Sequence, residues 1–333
     1  MGEVVLRKTQ AALETVRGTD LAATRKVYGK GTMNDKPKII QIDDEQRGTF
    51  VSSYRSQPGL VDASFPFEGE VTYEDLAWWL QLALKGGVTG ALSAVTVYTY
   101  TFVPTQATDD LKSATFEWGD DTQAWEAHFG MVDKFEISAA LGDAIRFKAD
   151  ILVDDWSTTT FTGAISDRVT EDAVTHMSKF AIGAAGAVPA GYVTGRFIGW
   201  KLTIQNNLKP KFFADGTASS PASIKYTGMG RQKRQYMLEA TFEGNAATIT
   251  EKASFDAATP RVARVTTLGS IIAGSTGNVQ RSIDIVLPGI WTSYDVGDRD
   301  TNTIFTGVLE SQYDATLGYD ISVAVANALV TLP

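Results

Sequence analysis

The stretch Val132-Asp133-Lys134-Phe135-Glu136-Ile137-Ser138-Ala139, with Ile145-Arg146-Phe147-Lys148-Ala149-Asp150-Ile151-Leu152-Val153-Asp154 behind it, alternates apolar and polar side chains. Successive side chains of an extended strand point to opposite faces, whereas a helix repeats every 3.6 residues. The period of two therefore specifies strands with one buried and one polar side. Phe135, Ile137, Ile145, Phe147 and Ile151 go to a core, and Glu136, Arg146, Lys148, Asp150 and Asp154 go to the opposite face.

Upstream, Val97 to Val103 (VYTYTFV) and Ala114 to Trp118 also read as strands. So do Thr49 to Tyr54 and Val61 to Phe67, separated by the turn former Gln57-Pro58-Gly59, a hairpin signal. One helix interrupts them. Thr72 caps it with Asp75 three places on, Leu76, Trp79, Leu80, Ala83 and Leu84 recur at helical spacing, and Gly86-Gly87 ends it. Trp79 belongs to the apolar face. Trp78, about 100° away round the helix, is expected at a sheet edge or a subunit contact.

Residues 1–47 show little periodicity, with only Lys38 to Ile42 strand-like, and read as an arm. Residues 157–195 are rich in Thr, Gly and Ala and read as a connection with a short helix near Glu171 to Phe180. The pattern then restarts: a strand at Phe197 to Gln205, a long loop at Phe212 to Gly230, a strand at Arg231 to Phe242 and a helix near Ile249 to Ala258. Three more strands follow at Arg281 to Leu287, Thr301 to Tyr313 and Tyr319 to Leu329. The helix approaches echo each other. Phe67-Glu68-Gly69 precedes Thr72 and Asp75, and Phe242-Glu243-Gly244 precedes Thr248 and Glu251, as expected of a duplicated domain.

At 333 residues the chain is long enough for two domains. No apolar run approaches the roughly 20 residues of a membrane span, and the N-terminus carries no export or lipid signal. Without cysteine there is no disulfide, thiolate nucleophile or Cys-ligated metal. Residues 1–165 hold 15 Lys+Arg against 24 Asp+Glu, so the whole net charge of −9 lies in the first half. That balance disfavours a clamp on nucleic-acid phosphates, which needs several Lys or Arg.

The chemistry-bearing residues are sparse. His128 and His176 are far apart and have no second histidine or cysteine nearby, and there is no Gly-x-Ser-x-Gly elbow. Gly29-Lys30-Gly31-Thr32 lacks the first glycine and the magnesium-binding hydroxyl of a phosphate loop. Asp298-Arg299-Asp300-Thr301-Asn302 lacks the glycine and closing glutamate of a calcium loop. The cluster Arg231-Gln232-Lys233-Arg234 fits acidic residues of a neighbouring subunit better than phosphate. No catalytic residue, metal site or cofactor is expected.

The segments Val16 to Tyr28 (VRGTDLAATRKVY), Arg47 to Gly87 with Tyr73-Glu74-Asp75-Leu76, and Gly199 to Leu208 (GWKLTIQNNL) together resemble tail tube proteins of long-tailed bacteriophages of the siphophage type. The resemblance implies a mainly β fold, two tandem sandwich or partial-barrel tube domains each with one flanking α-helix, placed at 48–165 and 196–333 with a linker at 166–195. It implies a virion tail protein assembled in the host cytoplasm, polymerising as stacked trimeric rings of pseudo-sixfold symmetry. Its partners are then itself, a tape measure protein, and the tail terminator and tip proteins, with DNA passing through without tight binding. One sheet faces the channel, for which Glu117, Glu136, Asp150 and Asp154 are the lining candidates. The loops Ser52 to Ser64 and Phe212 to Gly230 carry contacts between rings, with Tyr54, Arg55, Asp215, Arg231, Lys233 and Arg234 as candidates. The rival reading is a β-sandwich binding module, such as a carbohydrate-binding or virion decoration protein.

Overall fold

A computed structural model describes residues 3–42, 47–108, 111–193, 195–214, 224–244 and 246–332. The chain begins with β1 (Lys8–Leu13), β2 (Arg25–Lys26), β3 (Lys30–Gly31), β4 (Asn34–Ile42), β5 (Arg55–Ser64) and β6 (Phe67–Glu70). Helix α1 (Leu76–Ala83) follows, then β7 (Ala91–Ala94), β8 (Val97–Phe102), β9 (Ala114–Gly119), the long β10 (Ala124–Ala140), β11 (Arg146–Val153) and β12 (Ser157–Thr159). The second half contributes β13 (Ser178–Ala184), β14 (Tyr192–Val193), β15 (Phe197–Gln205), β16 (Leu208–Lys211), β17 (Gly228–Arg231) and β18 (Gln235–Glu243). It ends with α2 (Ala246–Asp256), β19 (Arg261–Ile271), the long β20 (Gln280–Arg299), β21 (Asn302–Ser311) and β22 (Ser322–Asn327).

The fold is mainly β, and its ladders are antiparallel and do not close on themselves. One long sheet runs β3-β6-β11-β10-β15-β18-β21-β20. Two shorter sheets cover it, in the orders β2-β1-β9-β10-β12 and β14-β13-β19-β20-β22-β8-β7. β10 and β20 each serve two sheets. The first half of each pairs in a covering sheet and the second half in the long sheet, and each carries a register shift at the crossing, between Val132 and Lys134 and between Trp291 and Ser293. An extra residue there bends and twists a strand, which lets one strand pass from layer to layer.

The core lies between the layers. Phe135, Ile137, Phe147 and Ile151 are buried as their alternation requires, and Trp79 sits among Phe67, Phe116, Phe135 and Phe147. Each such aromatic stabilises the fold by about 2–3 kcal/mol relative to exposure. The Thr72 hydroxyl accepts the Asp75 backbone N–H at 3.1 Å, as expected at the start of α1. Every side chain of α1 is buried, so Trp78 is not at a surface. Its ring carries the buried Arg25 guanidinium 4.8 Å from the centroid, and Arg25 is paired to Asp75. The cation and its counter-ion fill the side of the helix that its apolar stripe leaves.

Several expectations are corrected. Within the stretch 1–47 read as an arm, residues 8–13 belong to the body of the fold: β1 pairs with both β2 and β9, and Ala11 and Ala12 are fully buried. The stretch 157–195 is no plain connection, because β13 pairs with β19 over its whole length and only a short 3-10 turn, Thr175–Met177, stands where a helix was expected. The C-terminal end of the long loop 212–230, Gly228 to Gly230, is drawn into the hairpin β16–β17, and Phe67-Glu68-Gly69 lies within a paired strand, not at a corner.

Candidate functional site

The polar face of the long sheet follows from the alternation. β6 and β11 contribute Glu68, Glu70, Arg146, Lys148 and Asp150, and β10 contributes Lys134, Glu136 and Ser138. β15 adds Lys201 and Thr203, β18 adds Glu239, Thr241 and Glu243, and β21 and β20 add Thr306, Glu310 and Asp295. The charges interlock along the first strands: Glu136 meets Lys134 and Lys201 at 2.9 Å each, and Glu68 meets Lys148 at 3.7 Å. Burial pulls Glu136 upward, but hydrogen bonds from Lys201 and Lys134 outweigh it and hold the carboxyl below its ordinary value.

The four lining candidates separate. Glu136 and Asp150 are on this face, and Asp150 is exposed. Glu117 is not: it is 2% exposed in β9, where its carboxylate accepts from the Thr162 N–H at 2.7 Å, the Thr162 hydroxyl and the Ala23 N–H at 3.4 Å. Asp154 is also interior, 3.2 Å from His128 Nδ1 and accepting the Asp155 N–H at 2.8 Å. Burial raises its carboxyl, with His128 and Lys225 opposing. A face-directed residue is not a surface residue where a second layer covers the strand.

On this face the first strands are balanced, with Lys30, Lys134, Arg146 and Lys148 against Glu68, Glu70, Glu136 and Asp150. From β15 onward Lys201 and Arg299 stand against Glu239, Glu243, Asp295 and Glu310. The excess acid on the face therefore lies in the second half, although the chain as a whole carries it in the first. Sequence counting missed this because covered carboxylates such as Glu117 and Asp154 enter the count and not the face.

The two hairpins that project from the long sheet meet each other. The Val61 N–H donates to the Ile224 carbonyl at 3.0 Å, and the Ile224 N–H donates to the Gly59 carbonyl at 2.9 Å. Tyr54 is exposed at the base of the tip, where the Arg47 guanidinium covers its ring at 4.6 Å, and Arg55 opens β5. Ile39 and Ile40 of β4 and Phe50 and Val51 beyond it are also exposed. Asp215 lies outside the described residues. The basic cluster is partly used within the chain. Arg231 donates to Asn206 Oδ1 at 2.6 Å and Arg234 to the Thr105 carbonyl at 2.5 Å, while the Lys233 carbonyl accepts from Asn207 Nδ2 at 2.8 Å.

Both ends of the long sheet are open. Among the described residues no strand pairs with the outer side of β4 or of the 293–299 half of β20. Bare borders of this kind are edges at which another strand can pair. The family model for phage tail tube protein matches residues 7–279. The chain belongs to that family. No curated protein matches it. As a phage tail tube protein it is a structural component of the virion tail, and no helix among its described residues is long and apolar enough to cross a membrane.

Proposed function

We propose that this tail tube protein polymerises as stacked rings of three chains, with the polar face of the long sheet lining a DNA-conducting channel. The observation that carries the reading is the seam between β10 and β15. It joins a block ordered β3-β6-β11-β10 to a block ordered β15-β18-β21-β20, each with its helix packed on the long strand. Two like blocks per chain are a duplicated tube domain, now divided as β1 to β12 and β13 to β22, so three chains supply six blocks. The protein takes no catalytic step. Before ejection the channel holds a tape measure protein, and terminator and tip proteins close the ends of the tube.

Glu136 and Asp150 line it in the first block, where the charges balance, and the wall is weakly anionic through Glu239, Glu243, Asp295 and Glu310 in the second. A duplex carries one charge per roughly 1.7 Å of its axis, and a cationic wall would hold it by counter-ion release at every ring, whereas a repulsive one keeps it mobile. Electron cryomicroscopy of tubes assembled from the purified protein tests the reading. Three chains per turn, with the β11 and β18 polar positions inside, is the expected map; six chains per ring, or a lumen lined by β9 and β19, rejects it.

A further inference from the structure

We infer the register in which the free border of β20 takes the β3–β4 border of the next copy: Ser293 to Gly297 lie antiparallel against Thr32 to Lys36, with Val296 seated on Met33. This rests on the ring reading and adds the pairing that ring closure uses. The chain supplies its own template. β10 ends the first block and β15 begins the second, in a ladder that sets Ile137 opposite Leu202 and Glu136 opposite Thr203. β20 ends the second block as β10 ends the first, and its outer side is bare.

The equivalence is fixed by the bulges and not by the Phe-Glu-Gly echo. Placing the β20 shift at Trp291/Ser293 on the β10 shift at Val132/Lys134 matches Phe135 with Tyr294, both buried, and Ile137 with Val296. Carried through the ladders, the same alignment matches Phe147 with Phe305 and Leu202 with Met33. The echo would slide this contact by four residues, setting Asp295 against Lys38 and Val296 against Pro37, and would leave Phe135 matched to Val296.

Two observations favour the bulge register. Ile137 and Leu202 are 1% and 0% exposed at the internal seam, while Val296 is 63% exposed on a bare border in the single chain, an apolar side chain that Met33 of a second copy would cover. On the polar face Asp295 takes the place of Glu136. It lies directly opposite Asn34 and diagonally from Lys36 of the next copy, within reach of a lysine side chain; Lys36 stands in the place of Gln205, so this ion pair takes the other diagonal from the one by which Glu136 holds Lys201 across the internal seam.

The chain has no cysteine, so introduced pairs report cleanly. Directly opposed residues of an antiparallel pair have Cα atoms about 4.5–5.5 Å apart, within disulfide range, whereas a four-residue slip along a strand adds roughly 13 Å. Tubes of the double variant Asp295→Cys with Asn34→Cys should oxidise to covalent trimers at least about tenfold faster than tubes of Asp295→Cys with Lys38→Cys. Faster cross-linking of the Lys38 pair, or none in either while tubes are visible, overturns the register and leaves the ring reading standing. If wild-type protein forms no rings at all, the ring reading itself fails, and the register with it. Should the cysteine variants not assemble, the wild-type tube map decides directly: Val296 in van der Waals contact with Met33 of the neighbour supports the register, and Val296 against Pro37 rejects it.

Discussion

Glu136 accepts from Lys134 of its own strand and from Lys201 of β15, so one carboxylate ties together the two strands at which the halves of the long sheet meet. Its side chain is 18% exposed, which leaves the ion pairs only partly screened. An isolated acidic residue would add to the charge of the face. This one is spent on the seam.

Replacing it isosterically should therefore weaken the free subunit. Glu136→Gln is expected to lower unfolding stability at pH 7 by about 1 kcal/mol, the upper end for ion pairs whose lysine partners are partly exposed to solvent and so screened. Because the folded carboxyl lies below its ordinary value of 4.5, the contribution is complete above that value and is lost as pH falls through the lower folded one. Urea titrations of both proteins at pH 7 and pH 3 check the sign: the gap should close at the acid end, and a gap that widens there refutes the assignment.

A larger loss is expected at the start of α1. Arg25 is buried against Trp78, and Asp75 serves both Arg25 and, at 2.7 Å, Arg168. Burial pulls the Arg25 guanidinium down, to about 9, with Asp75 opposing, so the side chain remains a cation at neutral pH. Asp75→Ala leaves that charge without its counter-ion and should cost about 3–5 kcal/mol. Arg168 loses the same counter-ion and repels Arg25, so it cannot take the place of Asp75. Thermal unfolding measures the cost; a change within that of a typical surface substitution would show that water or another carboxylate compensates.

How much of this was legible in the sequence depends on side-chain size and layering. The strands β10, β11, β15 and β18 declare themselves because large apolar residues alternate with charged ones, and the Thr72 cap announces α1. β1 (KTQAAL) and β13 (SKFAIGA) do not, because small residues and buried polar ones such as Thr9 and Gln10 fill a tight layer without an apolar rhythm. Alternation also says that a strand has two faces without saying which are covered. β9 is buried on both, and so Glu117, correctly placed opposite Phe116 and Trp118, ends in the interior. The open borders and the β10–β15 seam depend on long-range pairing that no local pattern encodes.

The charge of the proposed wall can be moved without touching the core. Glu239 and Glu310 are half-buried on the polar face of the second block, and Asp150 is exposed on that of the first. Glu239→Lys with Glu310→Lys should leave tubes intact and slow DNA ejection, most at low ionic strength, where the Debye length reaches about 30 Å. Asp150→Lys, among Lys134 and Lys148, should slow it in the same direction by a smaller factor. Ejection kinetics from intact particles in two salt concentrations give the comparison, and equal rates in all of them reject a lumenal position for this face.

The last prediction concerns the hairpin that β4 and β5 carry beyond the sheet. Ile39 is 62% exposed, Ile40 is 50% exposed and Phe50 is fully exposed, and none of them belongs to a core cluster. Removing such a side chain changes folding little, since no buried apolar contact is lost, so a double Ile39→Ser and Phe50→Ser variant should unfold within about 0.5 kcal/mol of the parent. An extended apolar hairpin is nevertheless costly to leave in water and is ordered cheaply only against a partner. On the reading that this hairpin and its neighbour at Ile224 join successive rings, the variant should yield single rings or short stacks where the parent yields long tubes. Negative-stain images of both proteins at matched concentration decide it. Long tubes from a variant of unchanged stability would show that ring stacking draws on another surface.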